Sequence, residues 1–326
     1  MIRSYGVLIA SFMVSAQVAF AGELNPKVVV TTPPLKAYTD ALLRGIGESY
    51  SLLRPGQDAH TFTLSPSQRR ALSTADVIII PDRTMNPVLD TMLATEEKRG
   101  AKVLALTDLR EARALPYPKK NPWLDLAGEA DHTDDETDDD ARDPHVWLDP
   151  ERMASLALPV AEAISVAAPS HQARLQQNAR DLAFHLREEV TPGVTAILEA
   201  VSPKESMSAR PQVPFITYHA AYQYFLKRFR LESMGQITQR PENYLGARTL
   251  HDTVSGAGKL SIRCIVSETN SPLVQRIAKA SGARIVILSP EGLYTGDEAG
   301  QAPWVRNDYD RLLLKTATSF ASCLKE

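Results

Sequence analysis

Val77-Ile78-Ile79-Ile80 is an unbroken apolar run set between two stretches of helical spacing. Four such residues with no polar alternation mark a strand covered on both faces, as in a parallel sheet. Related runs occur at Lys27-Val28-Val29-Val30-Thr31-Thr32 and from Lys102 to Leu106. Leu35 to Gly45, Ser67 to Thr74 and Pro87 to Lys98 read as the helices between them. Strand and helix in alternation predict βαβ units and a parallel sheet.

The alternation returns late in the chain. Pro214 to Tyr218, Arg263 to Ser267 and Arg284 to Leu288 read as strands, and His219 to Phe229, Pro272 to Ser281 and Tyr309 to Leu324 as helices. Pro150 to Ala167 and His171 to Ala200 are rich in Ala, Leu, Arg, Glu and Gln and read as helices, with Pro192-Gly193 placed to kink or split the second. The fold class read from this pattern is α/β, with two similar lobes of mostly parallel sheets joined by a long helical connector. The expected first lobe is 22–149, the connector 150–200 and the second lobe 201–326. Ligands in such lobes bind at the carboxyl ends of strands, in the crevice between lobes.

Composition narrows the function. A chain of 326 residues suggests about two domains. A net charge of -3 gives no basic face for nucleic acid, and 6% aromatic residues give no stacking platform for single strands. Arg3, the apolar stretch Gly6 to Ala21 and the closing Ala19-Phe20-Ala21 form a leader for export, with cleavage expected after Ala21. That stretch is shorter than the roughly 20 residues a membrane span needs. In an oxidising compartment the only two cysteines, Cys264 and Cys323, are expected to form a disulfide, two buried free thiols being the alternative.

Glu129 to Asp143 holds nine acidic residues, His132, and no apolar residue larger than Ala. Self-repulsion and the lack of core formers predict a disordered loop, either a plain solvated connection or a weak collector of cations. Carboxylates alone cannot form a selective zinc cage.

Three of the seven histidines stand where strands or loops meet helix starts. His60 closes Arg54-Pro55-Gly56-Gln57-Asp58-Ala59-His60, His145 lies in Asp143-Pro144-His145-Val146-Trp147-Leu148-Asp149-Pro150, and His219 ends Thr217-Tyr218-His219. His171 and His185 fall on the polar connector, His251 in a helix and His132 in the acidic run. Position alone leaves the three open between metal ligands and ordinary histidines.

The segments around them resemble the metal-binding solute receptors of ABC transporters, the zinc- and manganese-uptake family. Its Pro-Gly-x-x-x-His segment stands here as Pro55 to His60, its Asp-Pro-His-x-Trp-Leu-Asp-Pro segment as Asp143 to Pro150, and its Tyr-His-x-Ala-Tyr-x-Tyr-Phe segment as Tyr218 to Phe225. Ser65-Pro66-Ser67 after His60 and Ala75-Asp76 before a strand match as well. The resemblance implies a two-lobed receptor that binds Zn²⁺ through His60, His145 and His219. His219 places the chain on the zinc side, because manganese receptors usually carry a carboxylate there. Three imidazoles suit a borderline-soft ion, whereas Mn²⁺ prefers harder oxygen donors. The resemblance further implies a periplasmic monomer that delivers Zn²⁺ to an ABC permease, a metal-attracting loop where the acidic run lies, and a disulfide at positions like Cys264 and Cys323.

Two residues depart from the family pattern. Ser289 stands where the last ligand, an Asp, is expected, and Ala220 where an Asp commonly follows the third His. Water, Glu291, Glu268 and Asp58 are the candidates for the fourth position. A manganese or other divalent-metal receptor of the same family is one alternative, and a zinc store or adhesin on this fold is another. Three His plus water is also a hydrolase pattern, but neither His-Glu-x-x-His nor Gly-x-Ser-x-Gly occurs, so no enzyme is expected.

Overall fold

A computed structural model describes residues 25–54, 57–118, 141–201, 213–242, 245–292, 302–303 and 305–325. The expected leader and all but the last three residues of the acidic run lie outside the described residues. Each half builds a sheet of four parallel strands. In the first, β1 (Val28–Val30), β2 (Tyr50–Ser51), β3 (Val77–Ile80) and β4 (Lys102–Ala105) lie in the order β2-β1-β3-β4. Val29 stands opposite Ile78, and Ile79 opposite Leu104. Every residue of β1 and β3 is buried, as the unbroken apolar runs require. Helices α1 (Pro33–Leu42), α2 (Pro66–Ser73) and α3 (Pro87–Lys98) link these strands.

The connector folds back on itself. Helix α4 (Pro150–Ala167) is joined by the 3₁₀ turn Pro169–His171 to α5 (Gln172–His185), and the two pack along each other. Beyond α5 the chain passes through the π-helical turn Leu186–Val190 into α6 (Thr191–Glu199). Pro192 therefore neither splits nor stops the helix. The wider turn, closed by the Thr191 N–H on the Leu186 carbonyl, makes room for the proline ring.

The second half repeats the first sheet's order. Strands β5 (Phe215–His219), β6 (Gln236–Thr238), β7 (Cys264–Ser267) and β8 (Arg284–Ile287) lie in the order β6-β5-β7-β8, all parallel. Their helices are α7 (Gln223–Arg228), α8 (Ala247–Lys259), α9 (Pro272–Ser281) and the closing α10 (Asp308–Leu324). Strand β5 runs on to His219, and the helix expected from there begins only at Gln223. In both sheets the crossovers part between the first and third strands, which opens a crevice at their carboxyl ends.

Caps set the helix starts near the crevice. Ser65-Pro66, Asn86-Pro87, Asp149-Pro150 and Ser271-Pro272 each place a capping side chain before a proline in the first turn. Ser65 and Gln68 form a complete capping box, and the Asp149 carboxylate accepts from the Glu151 and Arg152 amides.

One buried apolar cluster runs through both halves, and the second half holds a further cluster of its own around Ile216, Ile265 and Ile277. Trp147 is fully buried and donates from Nε1 to the Pro290 carbonyl across the cleft at 2.8 Å. Tyr309 of α10 donates to the Trp147 carbonyl at 2.7 Å and meets Tyr38 of α1 edge to face. Cys264 at the start of β7 and Cys323 near the end of α10 form a disulfide with Cα atoms 5.6 Å apart.

Candidate metal centre

His60, His145 and His219 converge at the crevice. His60 sits on the loop between β2 and α2, where Asp58 Oδ1 accepts from the His60 and Thr61 amides at 2.8 and 3.1 Å. His145 precedes the 3₁₀ turn Val146–Leu148 that leads into α4. His219 is the last residue of β5, at the strand end the topology exposes to the crevice. All three are buried, at 3%, 0% and 1% exposure. His145 Nε2 lies 3.4 Å from His60 Nε2 and 3.4 Å from His219 Nε2. One nitrogen from each ring falls within 4.8 Å of the other two, the single such trio of potential metal donors among the described residues. Three ring nitrogens aimed at one point suit an ion that takes the place of their protons.

The rings are held from behind. Asp143 Oδ1 lies 2.7 Å from His145 Nδ1 and also accepts from the His145 amide at 2.9 Å. Its second oxygen accepts from Gln223 Nε2 at 2.8 Å. Glu268, just past β7, brings Oε1 to 2.9 Å from His219 Nδ1, an ion-pair contact with the ring. Both carboxylates therefore address Nδ1 and leave Nε2 turned inward, the arrangement that fixes tautomer and ring direction around a metal. Among the described residues, His60 Nδ1 has no such partner.

Electrostatics divide the trio. Burial, and then the neighbouring histidines and Arg240, push His60 well below the usual imidazole range, and burial, His219 and Arg240 do the same to His145. Burial also works against charge on His219, but Glu268, with Glu291 and Asp58 behind it, overcomes this and holds the ring up at about 9. The negative field that retains a proton there equally favours a cation at the same ring. Burial raises Asp143 to about 7 and Glu291 to about 7.

The candidates for a fourth donor separate by place. Glu268 lies behind His219, and one oxygen of Asp58 is taken by backbone amides. Glu291 is 7% exposed, and Ser289 Oγ donates to its Oε2 at 3.0 Å while accepting from its amide at 3.3 Å. Ser289 thus supports a carboxylate two residues on. Of the remaining histidines, His251 is exposed on α8. His185, read from sequence as part of a polar connector, is buried, with Nε2 2.9 Å from Asp310 Oδ2 and Nδ1 3.2 Å from Glu189 Oε2. Asp143 supports His145 in a role that the sequence marks only by position. Its place two residues before a histidine was the available signal.

Residues 28–323 match the family described as "ZnuA: Zinc-uptake complex component A periplasmic". The chain is 28% identical to the high-affinity zinc uptake system protein ZnuA of Brucella suis, over 94% of each chain. It is 25% identical to the zinc-binding protein AdcA of Streptococcus pyogenes, over 92% of this chain and 58% of that protein. Its fold is shared by a zinc-bound ZnuA deletion mutant, at a TM-score of 0.70 and 17% identity over 93% of this chain and 99% of that one. FpvC of Pseudomonas aeruginosa in complex with Mn²⁺ is similar in fold at a TM-score of 0.68 and 18% identity, over 92% and 98%. With a match that runs from the first strand to the disulfide of the closing helix, the chain belongs to the periplasmic zinc-uptake component A family.

Proposed function

We propose that this protein captures Zn²⁺ outside the cytoplasm and hands it to an ABC-type permease. The observation that carries this is the convergence of three buried imidazole nitrogens on one point. Nε2 of His60, His145 and His219 supply three ligands, and neutral nitrogen donors suit Zn²⁺ better than Mn²⁺. It is a binding protein, not an enzyme. The leader ends at Ala21, the mature chain works as a periplasmic monomer, and no helix among the described residues is long and apolar enough to cross a membrane. The ligands come from both halves, so a bound ion favours the closed arrangement that the permease recognises. Competition titration against a chromophoric chelator tests the reading: one tightly held Zn²⁺ per chain is expected, with Mn²⁺ unable to displace it.

Glu268 acts through His219. Glu268→Gln keeps the shape but removes the charge that orients Nδ1–H, so zinc affinity should fall by about 10–100-fold, the range for such outer partners. An unchanged affinity in the same titration would contradict that role.

We infer that Glu291, a buried carboxylate whose charge acts on His219, supplies the fourth donor when the ion is bound. A carboxylate there halves the net charge that three neutral histidines leave on the ion in a buried site. Glu291→Gln should weaken zinc binding at least about tenfold, more than an outer partner at its weakest. Ser289→Asp should not tighten it, because a second carboxylate beside Glu291 adds like-charge repulsion. Tighter binding by Ser289→Asp with no loss in Glu291→Gln would show that the fourth position is open.

A further inference from the structure

Beside the histidines, the segment 239–242 of the second half crosses to the first. Gln239 Nε2 donates to the Pro118 carbonyl at 3.2 Å, and Arg240 Nη1 donates to the Thr84 carbonyl at 3.3 Å. The Arg240 guanidinium carbon lies 5.4 Å from the centre of the Tyr117 ring. Thr84 belongs to the 3₁₀ turn Arg83–Met85 that follows β3. Tyr117 lies on the strip that pairs with the approach to His145, through the Pro116–Arg142 bridge and the Tyr117 amide on the Ala141 carbonyl. One side chain thus ties the loop after β6 to two segments of the opposite half.

Arginine offers no lone pair to a metal, and its fixed charge repels a cation. Attraction of zinc cannot be its use at this place. Its planar fork is suited to holding a carbonyl and an aromatic face at once. We propose that Arg240 is a positioning residue for metal capture, a latch that keeps the halves closed over the three histidines and sets the rate at which zinc leaves. This rests on the zinc-receptor reading above. Opening the cleft lifts Arg240 off Tyr117 and breaks its bond to Thr84.

The test is stopped-flow release of Zn²⁺ into excess chromophoric chelator from the loaded wild-type protein and from R240A, R240K, Y117A and the R240A/Y117A double variant. Stoichiometry and the melting temperature of the metal-free protein are measured alongside. R240A should release zinc about tenfold faster while the metal-free melting temperature falls by only about a few degrees, consistent with the loss of one charge-assisted hydrogen bond and one partly exposed cation–π contact. R240K keeps the charge but not the fork and should fall between. Y117A should release faster than wild type, and the double variant no faster than R240A, because both residues serve one contact. Release from R240A at the wild-type rate or slower, with one zinc still bound, overturns the latch and leaves the zinc reading intact. Failure of the wild-type protein to bind zinc overturns both.

Discussion

Replacing His219 with alanine is expected to lower zinc affinity by more than about a hundredfold, since even an outer partner of a metal ligand is worth about 10–100-fold. The change removes one of three converging nitrogens and leaves a cavity where a buried ring had been. It also strands Glu268, whose carboxylate faces the His219 ring at 2.9 Å. An unpaired buried carboxylate is costly, so the metal-free variant should lose some stability as well. His251→Ala is the control, because that side chain is exposed on α8. Chelator competition on both variants decides the matter. Equal affinities would remove His219 from the site.

Removing the disulfide with paired Cys264→Ala and Cys323→Ala changes is expected to cost about 4 kcal/mol of stability. The bond closes a loop spanning 59 positions in sequence, and the chain-entropy relation gives that figure for such a loop. It fastens the end of α10 to the start of β7, and α10 also packs against α1 of the first half. The tie therefore holds a helix on which both halves depend. Denaturant unfolding of the oxidised protein and the double variant measures the difference. Zinc affinity should change little, because Cys264 opens β7 at the end opposite Glu268. A loss below about 1 kcal/mol would mean that the unfolded chain gains little freedom when the bond is absent.

Much of the fold could be read from the chain because its interior strands are covered on both faces. Val28–Val30, Val77–Ile80 and Cys264–Ser267 are all buried, and burial writes itself into the sequence as apolar runs. Strand β6, Gln236–Thr238, carries no such run. It is a short edge strand held by pairing with β5, and that pairing depends on the rest of the sheet.

The three histidines were legible from their strand-end and loop positions together with the segments around them. What surrounds them was less so. Whether a carboxylate meets Nδ1 or Nε2 depends on ring orientation, which tertiary packing sets. That is why Glu268, a candidate ligand by sequence, stands behind His219 instead. Ser289 shows the same limit, since its hydroxyl donates to the Glu291 carboxylate, a contact that no local pattern announces. Arg240 left no local signal, because Thr84 and Tyr117 lie more than a hundred residues away.

Anomalous diffraction at the zinc edge from crystals of the zinc-loaded protein tests the central claim most directly. The expected result is a single strong peak between the two halves, bonded to Nε2 of His60, His145 and His219 at about 2.0–2.1 Å. A strongest peak elsewhere, or one coordinated by fewer than three of these histidines, would contradict the account.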